Sequence, residues 1–307
     1  MTIQPQVSVV MPAYNHQRFV GEAITSVLNQ SLSDLELVII DDGSTDNTAE
    51  VIKSFSDKRI RYQYQENQDA YNALNKAIEL ANGRYISVLN SDDFYTPDRL
   101  ERLLEVCRER NAKCVFTDVL PVTEESSAIE PQHPWNIWHK KNCDYYLENK
   151  DLYNGFLHGN FMVTTSNLFM YASAMRKVGK FKPLRYLHDY DFIFRVLLEF
   201  PQQTIYLDDE RLVNYRLHGS NTISEAAITG REQDKAVIRK YLLKKIPEPS
   251  HQYVHTAVNR LITLEHELAE VLAERDRDRI RNSKEQTTSV PPTLAHRIIH
   301  KIKSLTH

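Results

Sequence analysis

Leu35-Glu36-Leu37-Val38-Ile39-Ile40-Asp41-Asp42-Gly43-Ser44-Thr45-Asp46 is the stretch on which the fold turns. An apolar run of strand length, Leu35 to Ile40, ends abruptly in carboxylates, a glycine and hydroxyls. A second run, Tyr85 to Leu89, ends the same way in Asn90-Ser91-Asp92-Asp93. In open α/β sheets ligands bind at the carboxyl ends of strands. Carboxylates gathered there suit a divalent metal carrying a diphosphate. Taken singly, each cluster reads equally well as a capped turn.

Outward from these clusters, strand and helix signals alternate, which predicts an α/β fold around a mostly parallel sheet. Val7 to Met11 is a short apolar run stopped by Pro12, and Phe19, Ala23, Ile24, Val27 and Leu28 then recur at helical spacing. Asp46 and Asn47, with Glu50 three residues beyond, mark the start of the next helix. A third strand is expected over Ile60 to Gln65, then a helix from Ala70 to Asn82 with Gly83 as its stop. Thr96 caps and Pro97 opens another helix, whose buried face carries Leu100, Leu103, Leu104 and Cys107. Cys114 to Asp118 is the fifth strand. From Leu120 to Tyr153 the periodicity fades while Pro, Trp, Tyr and His accumulate, the composition of a binding loop on a rigid frame. Helical spacing returns from Asp191 to Phe200.

The chain has 307 residues and a formal charge of −3, so no global basic field favours nucleic acid. Its three cysteines, Cys107, Cys114 and Cys143, contain no Cys-x-x-Cys pair and read as free thiols in a reducing compartment. The N-terminus lacks the basic and apolar blocks of a signal peptide, and no apolar stretch has bilayer-spanning length. A cytoplasmic protein is expected.

Beyond residue 230 the character changes. Val254, Ala257, Leu261, Leu264, Leu268 and Val271 follow a three-four spacing that suits either docking or a homodimer seam. The domain reading is residues 1–230 as the catalytic domain, with halves 1–118 and 119–230. A helical extension (231–275), a polar flexible linker (276–293) and a basic amphipathic helix (294–307) follow. That last helix carries Arg297, Lys301 and Lys303 opposite Leu294, Ile298, Ile302 and Leu305. It suits the anionic inner face of a plasma membrane, or packing on its own protein.

The ordered set of motifs resembles the glycosyltransferase family 2 enzymes of GT-A fold. The matching stretches are Val7 to Asn15, Leu37 to Asp46, Asn72 to Ala77, Asn82 to Ile86, Leu89 to Asp93, Thr165 to Phe169, Val178 to Phe181, His188 to Phe192 and Tyr215 to His218. They cover about residues 5 to 225. The resemblance implies a GT-A catalytic domain with a Rossmann-like nucleotide-binding half, acting as an inverting transferase on a nucleotide-diphosphate sugar.

By that resemblance Pro12, Ala13, Tyr14 and Asn15 hold the nucleobase side, and Asp42, with Asp41 beside it, accepts from a base ring N–H. This favours a UDP- or dTDP-sugar. Ser91 and Asp92 bind the nucleotide, Asp92 and Asp93 are the candidates for the ribose and for Mg²⁺ or Mn²⁺, and His218 reaches the metal or the diphosphate. Asp189 is the catalytic base, with His188 and Asp191 on the acceptor side. A structural hydrogen-bonding role for His218, and a helix cap at Asp191, are open alternatives. The acceptor implied is a glycan or a lipid-linked saccharide. The chain departs from the family pattern at Asn90, where Asp is common, at His188, where Glu is common, and at Asp69, where Gly is common.

Two other classes bear weighing. A non-catalytic sugar-nucleotide or glycan-binding relative would share the fold. A nucleotidyltransferase would need a glycine-rich phosphate loop early in the chain, yet only Gly21 precedes Gly43. A dinucleotide-dependent oxidoreductase fails too, since no Gly-x-Gly-x-x-Gly follows the first strand.

Overall fold

Strand β1 (Val7–Ala13) is flanked by β2 (Leu35–Asp42) and β4 (Tyr85–Val88), both parallel to it, and β3 (Ile60–Gln65) pairs in parallel with β2. The protein is described here from a computed structural model covering residues 4–219 and 229–288. Beyond β4 the sheet becomes mixed. Strand β7 (Phe169–Tyr171) is antiparallel to β4 and to β6 (Cys114–Val122), while β8 (Thr204–Arg216) is parallel to β6 and antiparallel to β5 (Phe94–Tyr95). Among the described residues, these eight strands form one sheet in the order β3-β2-β1-β4-β7-β6-β8-β5.

Residues of β1 alternate between two cores, as a strand covered on both faces must. Val7, Val9 and Met11 pack with helices α1 (Val20–Leu28) and α4 (Arg99–Glu109). Val10 packs on the other face with α3 (Ala70–Leu80), through Ala73, Leu74 and Ala77. The α1 and α4 faces are those the helical spacing predicts. The short helix α2 (Thr48–Lys53) is capped by Asp46, whose Oδ1 accepts from Thr48 N at 2.9 Å.

Several elements differ from the sequence reading. Helix α3 stops at Leu80, before Gly83, and Gly83 serves close approach: a Cβ there would lie 2.7 Å from Ser8 Oγ. Helix α4 begins at Arg99, two residues beyond Pro97. The stretch expected as a loop folds as β6 to Val122 and then as α5 (Pro134–Asn149) and α6 (Leu152–His158). Helix α5 starts where His133 Nδ1 accepts from Trp135 N and Pro134 takes the first turn. Its aromatics and histidines hide the period that aliphatic residues would show. After α7 (Ala172–Val178), α8 spans His188–Glu199.

Residues 1–242 form one unit and 243–307 a second. Helix α9 (Thr229–Leu243) buries Val237 and Tyr241 in the core around α8, so its packing joins the first unit rather than an extension beginning at 231. In the second unit, α10 runs from His251 to Thr288 and continues through residues 276–288, where a linker was expected. The Glu, Arg and Lys that make this stretch look like a linker are also good helix formers. Leu261, Leu264 and Leu268 of the expected seam are exposed. The basic helix at 294–307 and the end of the linker lie outside the described residues. Among the described residues no helix is long and apolar enough to cross a membrane.

Candidate active site

The carboxyl ends of β1, β2 and β4 open on one cleft of about 1130 Å³. That exceeds the roughly 300–1,000 Å³ of ordinary small-molecule sites and leaves room for two substrates. Pro12, Ala13, Tyr14 and Asn15 line it after β1. Asn15, at φ 52°, is tied to the neighbouring turn: its Oδ1 accepts from Thr45 N (2.8 Å) and its N donates to Ser44 Oγ (3.0 Å). Gly43 takes φ 80° there, and a Cβ would lie 2.7 Å from Asn67 N.

The two aspartates ending β2 have different tasks. Asp42 reaches the cleft, its Oδ1 accepting from Gln65 Nε2 (2.7 Å) and Gln68 N (3.0 Å). Asp41, expected beside the nucleotide, is fully buried. It accepts from Ser44 N and Tyr62 Oη, both at 3.0 Å, and so holds the turn rather than the cleft wall.

At the end of β4, Asp92 meets two histidines from distant loops. His218 Nε2 lies 3.0 Å and His16 Nε2 4.0 Å from Asp92 Oδ2. Ser91 is buried, and its Oγ sits 2.8 Å from His16 Nδ1, which turns the other ring nitrogen toward Asp92. Burial works to raise the Asp92 carboxyl, but the charge of His16 and the hydrogen bond and charge of His218 outweigh it and hold it low. Asp92 Oδ1 is buried with no hydrogen-bond partner among the described residues. An orphaned carboxylate oxygen beside two imidazole nitrogens is a donor set that fits a divalent cation. His16, Asp92 and His218 offer ligand atoms within 4.8 Å of one another.

Asp93, expected in that set, stands outside it. Its Oδ2 accepts from Ser166 Oγ (2.6 Å) and Thr164 Oγ1 (3.2 Å), and its Oδ1 from Arg216 N (3.0 Å). Burial and the charge of Asp92 push it up to about 8. Arg216 is also buried and donates from Nε to Asp92 O (2.8 Å), fixing the motif from the end of β8. Asn90 donates from Nδ2 to Thr164 Oγ1 and accepts at Oδ1 from Thr165 Oγ1. A carboxylate could not do both, so the departure from Asp at this position has a structural reason.

Asp189, in the first turn of α8, lines the same cleft. Only 7% exposed, it accepts at Oδ1 from Tyr190 N (2.7 Å) and at Oδ2 from Asn160 Nδ2 (3.1 Å). Burial raises its carboxyl above the usual range despite the opposing charge of His188. His188 also lines the cleft, its Nδ1 3.2 Å from Leu184 O. Asp191, expected on the acceptor side, is fully buried and bonded to Lys240, Arg195 and Tyr241. Three donors from α8 and α9 claim its oxygens, so it joins two helices instead of facing a substrate.

Residues 8–175 match the model of Glycosyl transferase family 2. An uncharacterized glycosyltransferase of Rickettsia typhi is 31% identical over 246 residues, covering 79% of this chain and 73% of its own. The chain belongs to glycosyl transferase family 2. The chondroitin synthase of Escherichia coli is 36% identical over 140 residues, 45% of this chain and 20% of that protein. The crystal structure of residues 1–349 of S. aureus TarS in complex with UDP-GlcNAc superposes with a TM-score of 0.60 at 17% identity. That match covers 80% of this chain and 69% of the other, and it supports the GT-A fold.

In this glycosyltransferase the cleft groups that the sequence reading missed include His16, Asn142, Asn160, Asp234 and the pair Trp135 and Trp138. Asp234 on α9 is raised to about 6 by burial and by the charge of Asp189. His16 follows Tyr14 and Asn15 closely enough to have been included with them, and Trp135 and Trp138 are the chain's two tryptophans. Asn160 and Asp234 carry no local signal. Two carboxyl-rich centres on one cleft, one fitted to a cation and one buried with a raised proton affinity, can respectively hold a phosphate ester and accept a proton.

Proposed function

We propose that the chain transfers a sugar with inversion from a nucleotide-diphosphate donor, a UDP- or dTDP-sugar, to a hydroxyl of a glycan or lipid-linked saccharide. The observation that carries this reading is that Asp92, with its unpartnered oxygen, and Asp189 line the same cleft. Asp42 accepts from the base ring N–H, and Tyr14, Pro12 and Ala13 flank the base. Asp92, His218 and His16 hold the cation; two imidazoles beside one carboxylate favour Mn²⁺ over the oxygen-seeking Mg²⁺. A bound divalent cation neutralises charge on the departing nucleotide diphosphate. Asp189 accepts the proton of the attacking hydroxyl, and burial, which raises its proton affinity above that of a free carboxylate, makes it the stronger base. The UDP-GlcNAc bound by TarS is compatible with this donor class, and the polymer named by chondroitin synthase with a glycan acceptor.

The test is thermal stabilisation by UDP with and without Mn²⁺, together with release of UDP from UDP-sugars and of dTDP from dTDP-sugars. Ligand binding adds RT ln(1 + [L]/Kd) to stability. Stabilisation by UDP should require the cation and should weaken in His16→Ala and His218→Ala. Equal stabilisation with chelator present would remove the metal from the reading. No stabilisation by any pyrimidine nucleotide would remove the donor.

A further inference from the structure

The chain has two tryptophans, Trp135 and Trp138, and both line the cleft from one helix, α5. They are held differently. Trp135 packs against the core, with its ring stacked on His139 (centroids 4.9 Å, 26°) and on Tyr215 (5.6 Å, 29°). His139 is 6% exposed and anchored to the buried Asp118, with Nε2 2.6 Å from Oδ1; Asp118 also accepts from Arg211 Nε at 2.7 Å. Trp135 therefore belongs to the frame. Trp138 is 44% exposed and lines the cleft, 6.0 Å from Trp135 centroid to centroid.

The next turn of α5 ties this ring to the catalytic end. Asn142 donates from Nδ2 to Trp138 O at 3.3 Å and lines the cleft. It abuts Gly159, where a Cβ would lie 2.8 Å from Asn142 Cγ. Gly159 precedes Asn160, which donates to Asp189. The half-exposed indole and the Asn142 amide of α5 thus neighbour Gly159, which leads from α6 into the residue that orients the proposed base. An indole with amide groups close by fits a pyranose ring: its axial C–H face packs on the aromatic surface while its rim hydroxyls bond to amides. The proposed nucleobase contacts, Tyr14 and Asp42, come from other elements of the cleft, after β1 and at the end of β2.

We infer that Trp138 is the platform for a sugar ring of the acceptor, so that the acceptor is a saccharide recognised through a ring face. Asn142 bonds that ring's hydroxyls, and Trp135 with the Asp118–His139 pair keeps the platform rigid. The inference rests on the transferase reading above and narrows its acceptor to a glycan contacted beyond the single reacting hydroxyl.

Because only two indoles are present, intrinsic fluorescence of the full chain reports on this wall directly. The variants W135F and W138F each leave one reporter. The probes are tetrasaccharides of neutral hexose, N-acetylhexosamine and alternating hexuronate type, with farnesyl phosphate and UDP as the other arms. At least one tetrasaccharide should shift the emission of W135F, which retains Trp138, and leave that of W138F unmoved. In transfer assays W138A should raise KM for that saccharide at least tenfold against a change below twofold in KM for the donor, and W138F should recover most of the loss. A shift with farnesyl phosphate but no saccharide would overturn the inference in favour of a lipid-facing wall. A shift with UDP alone would assign the ring to the donor, and no shift in any arm would leave Trp138 without a ligand; either overturns the proposal. Failure of UDP release in the wild type would count against the transferase reading, while the fluorescence arms would still decide what Trp138 binds.

Discussion

Replacing Asp189 by Asn separates the proposed base from the fold more cleanly than any other substitution. The side chain keeps its shape, and Oδ1 still accepts from Tyr190 N. The second contact is also recoverable: Asn160 Oδ1 is buried with no partner among the described residues, so a flip of the Asn160 amide lets it accept from the new amide at 189. Asp189→Ala would instead leave buried donors unmatched at about 1–3 kcal/mol each. Removing a general base costs roughly 10²–10⁴-fold in rate, equivalent to about 2.7–5.4 kcal/mol of transition-state stabilisation. The fall should appear in kcat, with cation-dependent UDP binding retained.

Stability should move the other way. Burial raises the Asp189 carboxyl in the folded state, so the folded protein binds a proton that the unfolded chain releases at lower pH. Stability tied to this group is therefore full below the unfolded carboxylate range and is lost as pH rises through the folded value. At neutral pH the carboxylate costs stability, and Asp189→Asn should melt at or above the wild-type temperature. The assay pairs steady-state kinetics with differential scanning calorimetry at pH 7. A kcat within threefold of wild type would refute the role, and a lowered melting temperature would show that lost activity reflects lost structure.

Asp118→Asn should destabilise the protein by about 3–5 kcal/mol, since it strands one half of a buried ion pair; Arg211 is largely exposed and adds little. Burial opposes the His139 imidazolium, but Asp118 and then Cys143 outweigh it and raise His139 from 6.5 to about 9. The stability this gives is complete below pH 6.5 and lost as pH rises through about 9. Urea titrations across that range should show the decline in wild type and not in Asp118→Asn, and parallel slopes would argue against the pair. Gly83→Ala should cost about 1–3 kcal/mol by overpacking against Ser8. An unchanged urea midpoint would mean that the β1–β4 contact yields easily.

Much of the architecture was legible because its signals are local. Apolar runs ended by Asp42 and by Asn90 to Asp93, separated by helical spacing, are enough to require parallel strands whose carboxyl ends face one side. The mixed half of the sheet was not legible in this way. Strand β7 is three residues long, too short for a period to register, and α5 carries its buried face on histidine, asparagine and aromatics. The limits of the first unit were misread for a related reason: α9 looks polar, and Val237, Tyr241 and the partly buried Ile238 are what join it to the core among its described residues.

By itself the sequence determined that carboxylates would crowd the ends of β2 and β4 and that a further acidic motif would begin α8. Tertiary structure alone decided which of these carboxylates face the cleft. It withdrew Asp41 and Asp191 into protein hydrogen bonds, brought His218 to Asp92 across 126 residues, set Asn160 against Asp189 and left Trp138 partly exposed on the cleft. Strand ends are fixed by neighbours in sequence, whereas the partner a carboxylate finds depends on which distant donors the packed helices carry to it.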